Sequence, residues 1–298
     1  MTNIGPVPWV ASDASPHVAL TRYQESLPVS LIATARAEFI SCRPDEAVSD
    51  VIERHRANEY DFLPVLGLRA EDDSVVGLLE LAHARDAAVP GVTVGQRMQP
   101  LGERHLIGAD ASILAFIRDA DRQPFRFVVS GHHIGGLVTL SDLQLLPVRA
   151  ALFAMVTHLE MSMADGIRTQ CPHTDNWLSL LSEERAAKVK EKMKTAKTEN
   201  TLVDPLLYTE FSDKVTIIKK AWSSFADESK ERKKFVQHMK DIQKLRDNLA
   251  HANDYAATRD AARGVCQCVR QMDDWSRFLT RSRLRPDGVS PQSSREGG

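Results

Sequence analysis

The 298-residue chain sets 38 Lys and Arg against 40 Asp and Glu, a formal net charge of −2, with 43% apolar residues. That length allows two ordinary domains, each with its own core, and the composition is that of a globular chain rather than a fibrous or disordered one. No apolar run approaches the ~20 residues a membrane-spanning helix needs, and Met1-Thr-Asn-Ile-Gly-Pro6 lacks the basic and apolar segments of a secretory signal, so no membrane association and a cytoplasmic location are expected.

Charge is divided unevenly. Residues 1–147 hold no Lys, 12 Arg and 19 Asp or Glu, a net of −7, whereas residues 148–298 hold 13 Lys, 13 Arg and 21 acids, a net of +5. The acidic part is a poor general nucleic-acid binder, while the basic part can hold RNA through phosphate contacts. Four cysteines are too few and too scattered for a disulfide framework, and Cys171-Pro-His173 has no second pair at metal-ligand spacing. The thiols are therefore expected to be structural, with no metal site.

Residues 1–34, rich in Pro and small polar residues, read as an extension with one short helix near Val18–Glu25. From Ala35 the chain repeats itself. Phe39-Ile-Ser-Cys42 predicts a strand, 44–57 a helix, Phe62–Leu66 a strand, Asp72-Asp-Ser74 a turn, 75–79 a strand and 81–87 a helix. The second pass predicts a strand at Leu106-Ile107, a helix over 109–121, a strand over 125–129, a turn at Ser130-Gly-His-His133, a strand over 134–138 and a helix over 141–145. Two passes of strand, helix, strand, strand, helix are an internal duplication, a stronger signal than any local propensity.

After Pro147 the pattern turns helical, with helices predicted over 148–163, 176–194, 206–225, about 227–251 and 255–280. Lys188, Lys190, Lys192 and Lys194 recur at steps of two, which spreads them round a helix as a solvated surface. Lys230, Lys233 and Lys234 are candidate RNA contacts, and Trp222 is expected in the core. The tail from Leu284 reads as disordered.

In the fourth of these helices Phe235, Met239, Ile242, Leu245 and Leu249 share one apolar face. Beside it stand Arg246, Asp247, Asn248 and, five positions after the arginine, His251. An Arg is a permanent, fork-shaped phosphate donor and a His exchanges protons near neutral pH. On a straight helix the two lie about 140° apart. Meeting on one phosphate therefore requires the helix to end or distort near Ala250, or two copies to share a groove. The plainer reading is an arginine stem along the core edge and an exposed histidine.

The repeat at 35–147, with Phe62-Leu-Pro-Val65 and Gly136-Leu-Val-Thr139-Leu-Ser-Asp142, resembles a tandem CBS-domain pair. Arg246-Asp-Asn-Leu-Ala-His251, with the helix from Asp204 to Trp222, resembles the HEPN superfamily, in its Swt1-like branch, over 148–283. The implied fold is α+β: a CBS pair of two β-α-β-β-α repeats followed by an all-α bundle. The first resemblance implies an adenine nucleotide (AMP, ADP or ATP) as regulatory ligand, held by Thr139 and Asp142 through ribose hydroxyls, beside Gly136, with Arg126 and His132 toward phosphates. A hydroxyl and a carboxylate at a helix start equally make a simple cap, and the residues leave both readings open. In the first repeat Glu80 and His83 occupy the matching positions, so one nucleotide per chain is expected.

The second resemblance implies a homodimeric, metal-independent endoribonuclease. His251 would move the proton, Arg246 would hold the phosphate, and Asp247 and Asn248 would orient them, with Glu160 a further candidate partner for Arg246. The combined expectation is an RNA-cleaving enzyme regulated by a nucleotide. The alternative is a non-catalytic nucleotide-binding protein whose helical part binds RNA or protein, or only dimerises.

Overall fold

Short runs of β-branched and aromatic residues bounded by turns set the strands, and 3.6-residue apolar spacing sets the helices. In the computed structural model, described for residues 27–57, 60–68, 73–86, 91–198, 204–226 and 229–282, the chain is mixed α+β, with a β/α region first and a helical region after it. It divides into two units. One is Gln24–Ala151 with Ala256–Cys266, and the other contains Leu152–Tyr255 and continues from Gln267. The segment Ala256–Cys266 thus groups with the repeats, which the sequence pattern did not suggest. The expected helix at Val18–Glu25 and the tail from Leu284 lie outside the described residues.

The first unit contains two sheets. Strands β2 (Phe62–Leu66), β3 (Val75–Glu80) and β4 (Gln99–Pro100) form one, in that order and antiparallel. The other has the order β1-β7-β6-β5, from β1 (Thr34–Ala35), β5 (Leu106–Gly108), β6 (Phe125–Ser130) and β7 (His133–Thr139), with β5 parallel to β6. The repeat is visible in the pairings. A lone parallel bridge between Cys42 and Val65 occupies in the first repeat the place that β5 and β6 fill in the second. The strand expected at Phe39–Cys42 is reduced to that bridge.

Each sheet is finished by a two-residue strand that precedes the other repeat. β1 pairs with β7 at Thr34–Leu137 and Ala35–Gly136, and β4 pairs with β3 at Gly77–Pro100 and Leu78–Gln99. The matching glycines explain the crossing. A Cβ on Gly77 would stand 2.6 Å from the Gln99 carbonyl oxygen, and one on Gly136 would stand 2.8 Å from that of Thr34.

Of the helices of this unit, α1 (Val48–Arg54) and α4 (Ile113–Ile117) are shorter than expected, α2 (Leu81–Asp86) lies where a helix was expected, and α3 (Val94–Arg97) was not expected. Ala47 is extended and bridges Thr93, which delays α1. Ala109 donates to the Val129 carbonyl at 2.8 Å, so α4 starts only where Ser112 Oγ accepts the Ala115 N–H at 3.1 Å. One apolar cluster, including Val48, Val51, Leu63, Leu79, Leu81 and Val94, lies under α1 to α3. A second joins the two sheets through Val75, Leu78, Phe125 and Phe127, with the Phe62 and Phe125 rings 5.6 Å apart.

The helical elements are α5 (Leu146–Gln170), α6 (Thr174–Leu178), α7 (Glu183–Thr198), α8 (Phe211–Lys220), α9 (Trp222–Phe225), α10 (Ser229–Ala250) and α11 (Arg259–Ser282). Two expected helices are broken. The 176–194 stretch divides around Ser179–Ser182, where Ser182 Oγ accepts from the Arg185 N–H at 3.4 Å. The 206–225 stretch begins as the 3₁₀ turn Pro205–Tyr208 and restarts after Glu210, whose N–H donates to Asp213 at 2.9 Å. Trp222, Phe235, Trp275 and Phe278 form an aromatic core, with Trp222 and Phe278 stacked at 5.8 Å, so Trp222 is a core residue as expected.

Two buried ion networks brace this second unit. Lys214, 4% exposed, donates to Glu160 at 3.0 Å and to the Thr209 carbonyl at 2.8 Å, while Arg185 grips both oxygens of Asp213 at 3.0 and 2.6 Å. Glu160 therefore partners Lys214 rather than Arg246.

The crossing predicts a sharp contrast among glycines. Gly77→Ala and Gly136→Ala should each lower unfolding free energy by about 3 kcal/mol, because the obstructing atom is backbone. Gly135→Ala, whose added Cβ would approach nothing nearer than Ser130 Cβ at 3.9 Å, should change it by less than about 0.5 kcal/mol. Urea denaturation of the three variants measures this.

Candidate functional site

The strand registers place Phe62 opposite Glu80 and Phe125 opposite Thr139, so the two hairpins present equivalent ends to each other. Between them lies a cleft of about 500 Å³. Its floor is apolar, from Phe62, Leu78, Pro124 and Phe125, and its walls carry Arg104, Arg122, Arg259 and Arg263 against the carboxylates of Glu80 and Asp121. Such a floor suits a planar apolar group, and guanidiniums are the side chains best matched to phosphate oxygens. Two of these arginines come from the first turns of α11, more than a hundred residues beyond the repeats.

Behind Arg104 sits His105, 1% exposed, whose Nε2 accepts from Arg104 Nε at 3.0 Å and whose Nδ1 faces the Gly102 N–H at 3.2 Å. A neutral ring accepts on one nitrogen only. Burial, with the charges of Arg104 and Arg126, holds this imidazole below its ordinary pKa, so it adds no positive charge to the cleft near neutral pH.

None of the five residues expected to hold a nucleotide lines this cleft, although Leu140, next to Thr139, does. Thr139 and Asp142 are together. Asp142 Oδ2 accepts the Thr139 N–H at 2.6 Å and its hydroxyl at 3.1 Å, which makes the cap of the 3₁₀ helix Leu140–Gln144. Both bonds fall on Oδ2, and Oδ1 accepts none from the described residues. Burial outweighs these bonds and raises the Asp142 pKa. Gly136 faces β1, as described above. Arg126 points inward, with its Nη2 on Asp119 at 2.7 Å and its buried Nη1 without a partner among the described residues. His132 is exposed at the β6–β7 turn, which Gly131 makes with a φ of 62°. These five residues therefore sit in separate places apart from the Thr139–Asp142 pair.

In the second unit, Phe235, Met239, Ile242, Leu245 and Leu249 are all buried, as the periodicity required. The helix ends at Ala250, one of the ways the sequence left for changing the direction of His251. Ala252 takes the left-handed conformation at φ 54°, and the Asn253 N–H donates to the Asn248 carbonyl at 3.0 Å, closing the last turn in the manner of a Schellman motif. Asp247 and His251 are exposed, and Arg246 keeps 38% of its side chain accessible. Arg246 meets Asp247 at 3.4 Å, while no hydrogen bond joins it to His251. Asn248 is half-buried on the same turn. Lys230, Lys233 and Lys234 are exposed at the other end of α10.

No protein-family model matches the sequence, and no curated protein does either. Solved structures resemble its first part. The CBS domain of a bacterial CNNM/CorC family Mg2+ transporter in complex with ATP is 21% identical, with 42% of this chain and 90% of that one covered and a TM-score of 0.35. CBS domains of a transcriptional regulator from Streptococcus pneumoniae are 22% identical, covering 39% of this chain and 96% of that one with a TM-score of 0.32. The CBS-pair protein CBSX2 from Arabidopsis thaliana is 20% identical, covering 42% of this chain and 94% of that one, also with a TM-score of 0.32. Among the described residues no helix is long and apolar enough to cross a membrane, and no three His, Cys, Asp or Glu side chains gather as metal ligands. All four cysteines are buried and free, and burial pushes the Cys42 thiol up to about 12.

The half-buried Asp142 carboxylate gives a pH signature. Because its folded pKa is raised, the folded state binds the proton more tightly than the unfolded chain. Its stabilising share is therefore complete below the ordinary carboxylate range, about pH 4, and is lost as pH rises through the folded value. In urea titrations from pH 3 upward, wild type should lose stability relative to Asp142→Asn. A flat difference would show the carboxylate to be solvated, and one that grows in favour of wild type would show its bonds from Thr139 to outweigh burial.

Proposed function

We propose that the two-repeat region is a regulatory module that binds an adenine nucleotide, and that the helical region joined to it cleaves RNA at Arg246 and His251. The observation that carries the first statement is the cleft itself, an apolar aromatic floor walled by guanidiniums. A purine can lie against Phe62, which is half-buried beside the cleft, while phosphates meet arginine. The Thr139–Asp142 pair, which flanks Leu140 of the cleft lining, supports the same reading, because a half-buried carboxylate whose Oδ1 accepts no bond from the described residues is a ready acceptor for a ribose hydroxyl. With the full-length protein, AMP, ADP or ATP at a hundred times its dissociation constant should stabilise the fold by about 2.7 kcal/mol, read as a rise in Tm. No shift with any of the three at millimolar concentration would remove adenine nucleotides as ligands.

The second statement rests on the exposure of Arg246, Asp247 and His251 around one helix end, where a phosphodiester can reach them. His251 takes the proton of a ribose 2′-hydroxyl as that oxygen attacks the adjacent phosphorus. Arg246 pairs with the phosphate oxygens as negative charge builds on them, and the leaving 5′-oxygen receives a proton. The products are a 2′,3′-cyclic phosphate and a 5′-hydroxyl, and DNA, lacking the nucleophile, is spared. Asp247 and Asn248 position the pair. Because no bond joins Arg246 to His251 within one chain, a second copy facing this helix end is part of the proposal.

Incubating the purified protein with total RNA in EDTA, with and without ATP or AMP, tests it. Cyclic-phosphate ends should appear, and His251→Ala should reduce their formation by about 10²-fold or more. Full cleavage by that variant would remove His251 from the chemistry. RNA binding without cleavage, weakened by Arg246→Ala, would instead assign the helical region a binding role.

A further inference from the structure

The wall of the cleft is not built by the repeats alone. Segment Ala256–Cys266 belongs to the same unit and is anchored there. With its amide oriented to place oxygen toward the chain, Gln144 accepts the N–H groups of Ala256 and Ala257 at 3.0 and 2.9 Å. Ala256 is buried, and Thr258 caps α11 by accepting the Ala261 N–H at 3.1 Å. The next turn then brings Arg259 and Arg263, one helical step of four apart, to the cleft.

Neither arginine is held in a buried pair. Arg259 meets Asp61 at 3.1 Å with 43% of its side chain exposed, and Arg263 meets its own neighbour Asp260 at 3.3 Å with 52% exposed. Exposed pairs of this kind contribute little and exchange readily for a better acceptor. Arg122 is exposed on the same cleft and has no ion pair among the described residues. The cleft thus offers more cationic forks than one phosphate can use, in two groups. Arg104 and Arg122 belong to the second repeat and its approach, while Arg259 and Arg263 come from the last helix.

Resting on the reading of the cleft as a nucleotide site, we infer that its ligand carries a chain of at least two phosphates, and that Arg259 and Arg263 hold the outer ones. A nucleoside di- or triphosphate reaches both groups of arginines. A monophosphate satisfies one group and leaves the helix pair on Asp61 and Asp260. The helix that would hold the outer phosphates also supplies Val269, Met272 and Trp275 to the core of the helical region, so the ligand would touch an element shared by both parts of the chain.

Isothermal titration of the full-length protein with AMP, ATP and inorganic tripolyphosphate tests this, using wild type and the double variant Arg259→Gln/Arg263→Gln. Both side chains are substantially exposed, and circular dichroism and Tm check that the variant folds. The expected result is that ATP binds wild type at least about tenfold more tightly than AMP. The double variant should lose that advantage, with AMP affinity unchanged. Equal affinity of wild type for AMP and ATP, or an ATP preference that survives the double substitution, overturns the inference and leaves the nucleotide reading intact. If neither nucleotide binds but tripolyphosphate does, and the double variant loses it, the phosphate-chain site stands and the adenine reading falls. If none of the three binds, both fall.

Discussion

A carbonyl oxygen pressed against a glycine, once in each repeat, is the constraint on which the first unit depends. At Gly77 and Gly136 the crossing strand comes so close that a Cβ would be 2.6 to 2.8 Å from backbone oxygen. Only because that space is empty can two-residue strands from ahead of one repeat finish the sheet of the other. The reciprocal exchange ties the repeats into one folding unit rather than two adjacent hairpins. It also fixes the hairpins so that Phe62 and Phe125 meet and the cleft opens beside them. Without β4 the first-repeat sheet is a lone two-stranded hairpin, which is marginal in water.

The duplicated order of elements was legible because it is periodic over long stretches, and periodicity survives errors in any single element. What failed was local extent. Pro44-Asp-Glu-Ala47 has the composition of a helix start, yet Ala47 is taken by a bridge to Thr93, a partner more than forty residues away that no local pattern displays. The 206–225 stretch carries continuous helical spacing, yet its first turn is 3₁₀ and the α-helix restarts at Phe211. The two-residue strands β1 and β4 were missed for a related reason. Their signal lies in the glycines they cross, not in their own residues.

The candidate sites divide in the same way. Thr139 and Asp142 were readable because a cap is a four-residue event, and the structure brings them together as that spacing requires. Arg259 and Arg263 were invisible as cleft residues, since nothing within α11 distinguishes them from solvated arginines. Their placement depends on Gln144 and on the turn that precedes the helix. A signal did exist in outline. Tyr255, Ala256 and Ala257 form a short uncharged run between Asp254 and Arg259, which marks a backbone that docks closely against something.

The end of α10 shows why backbone strain is informative about His251. A left-handed alanine costs roughly 1–2 kcal/mol relative to the ordinary helical region, a penalty glycine would avoid. The chain accepts it at Ala252 while moving from Leu249, buried in one face of the helix, to Tyr255, also buried. The five residues between them must finish the helix, turn and return to the core, and the left-handed position makes that turn. The consequence is that residues 250–254 form an exposed bend held from both sides by buried anchors. His251 occupies that bend, five residues beyond Arg246. The strained turn thus leaves the ring open to solvent at a position set by the backbone, with no hydrogen bond to it among the described residues.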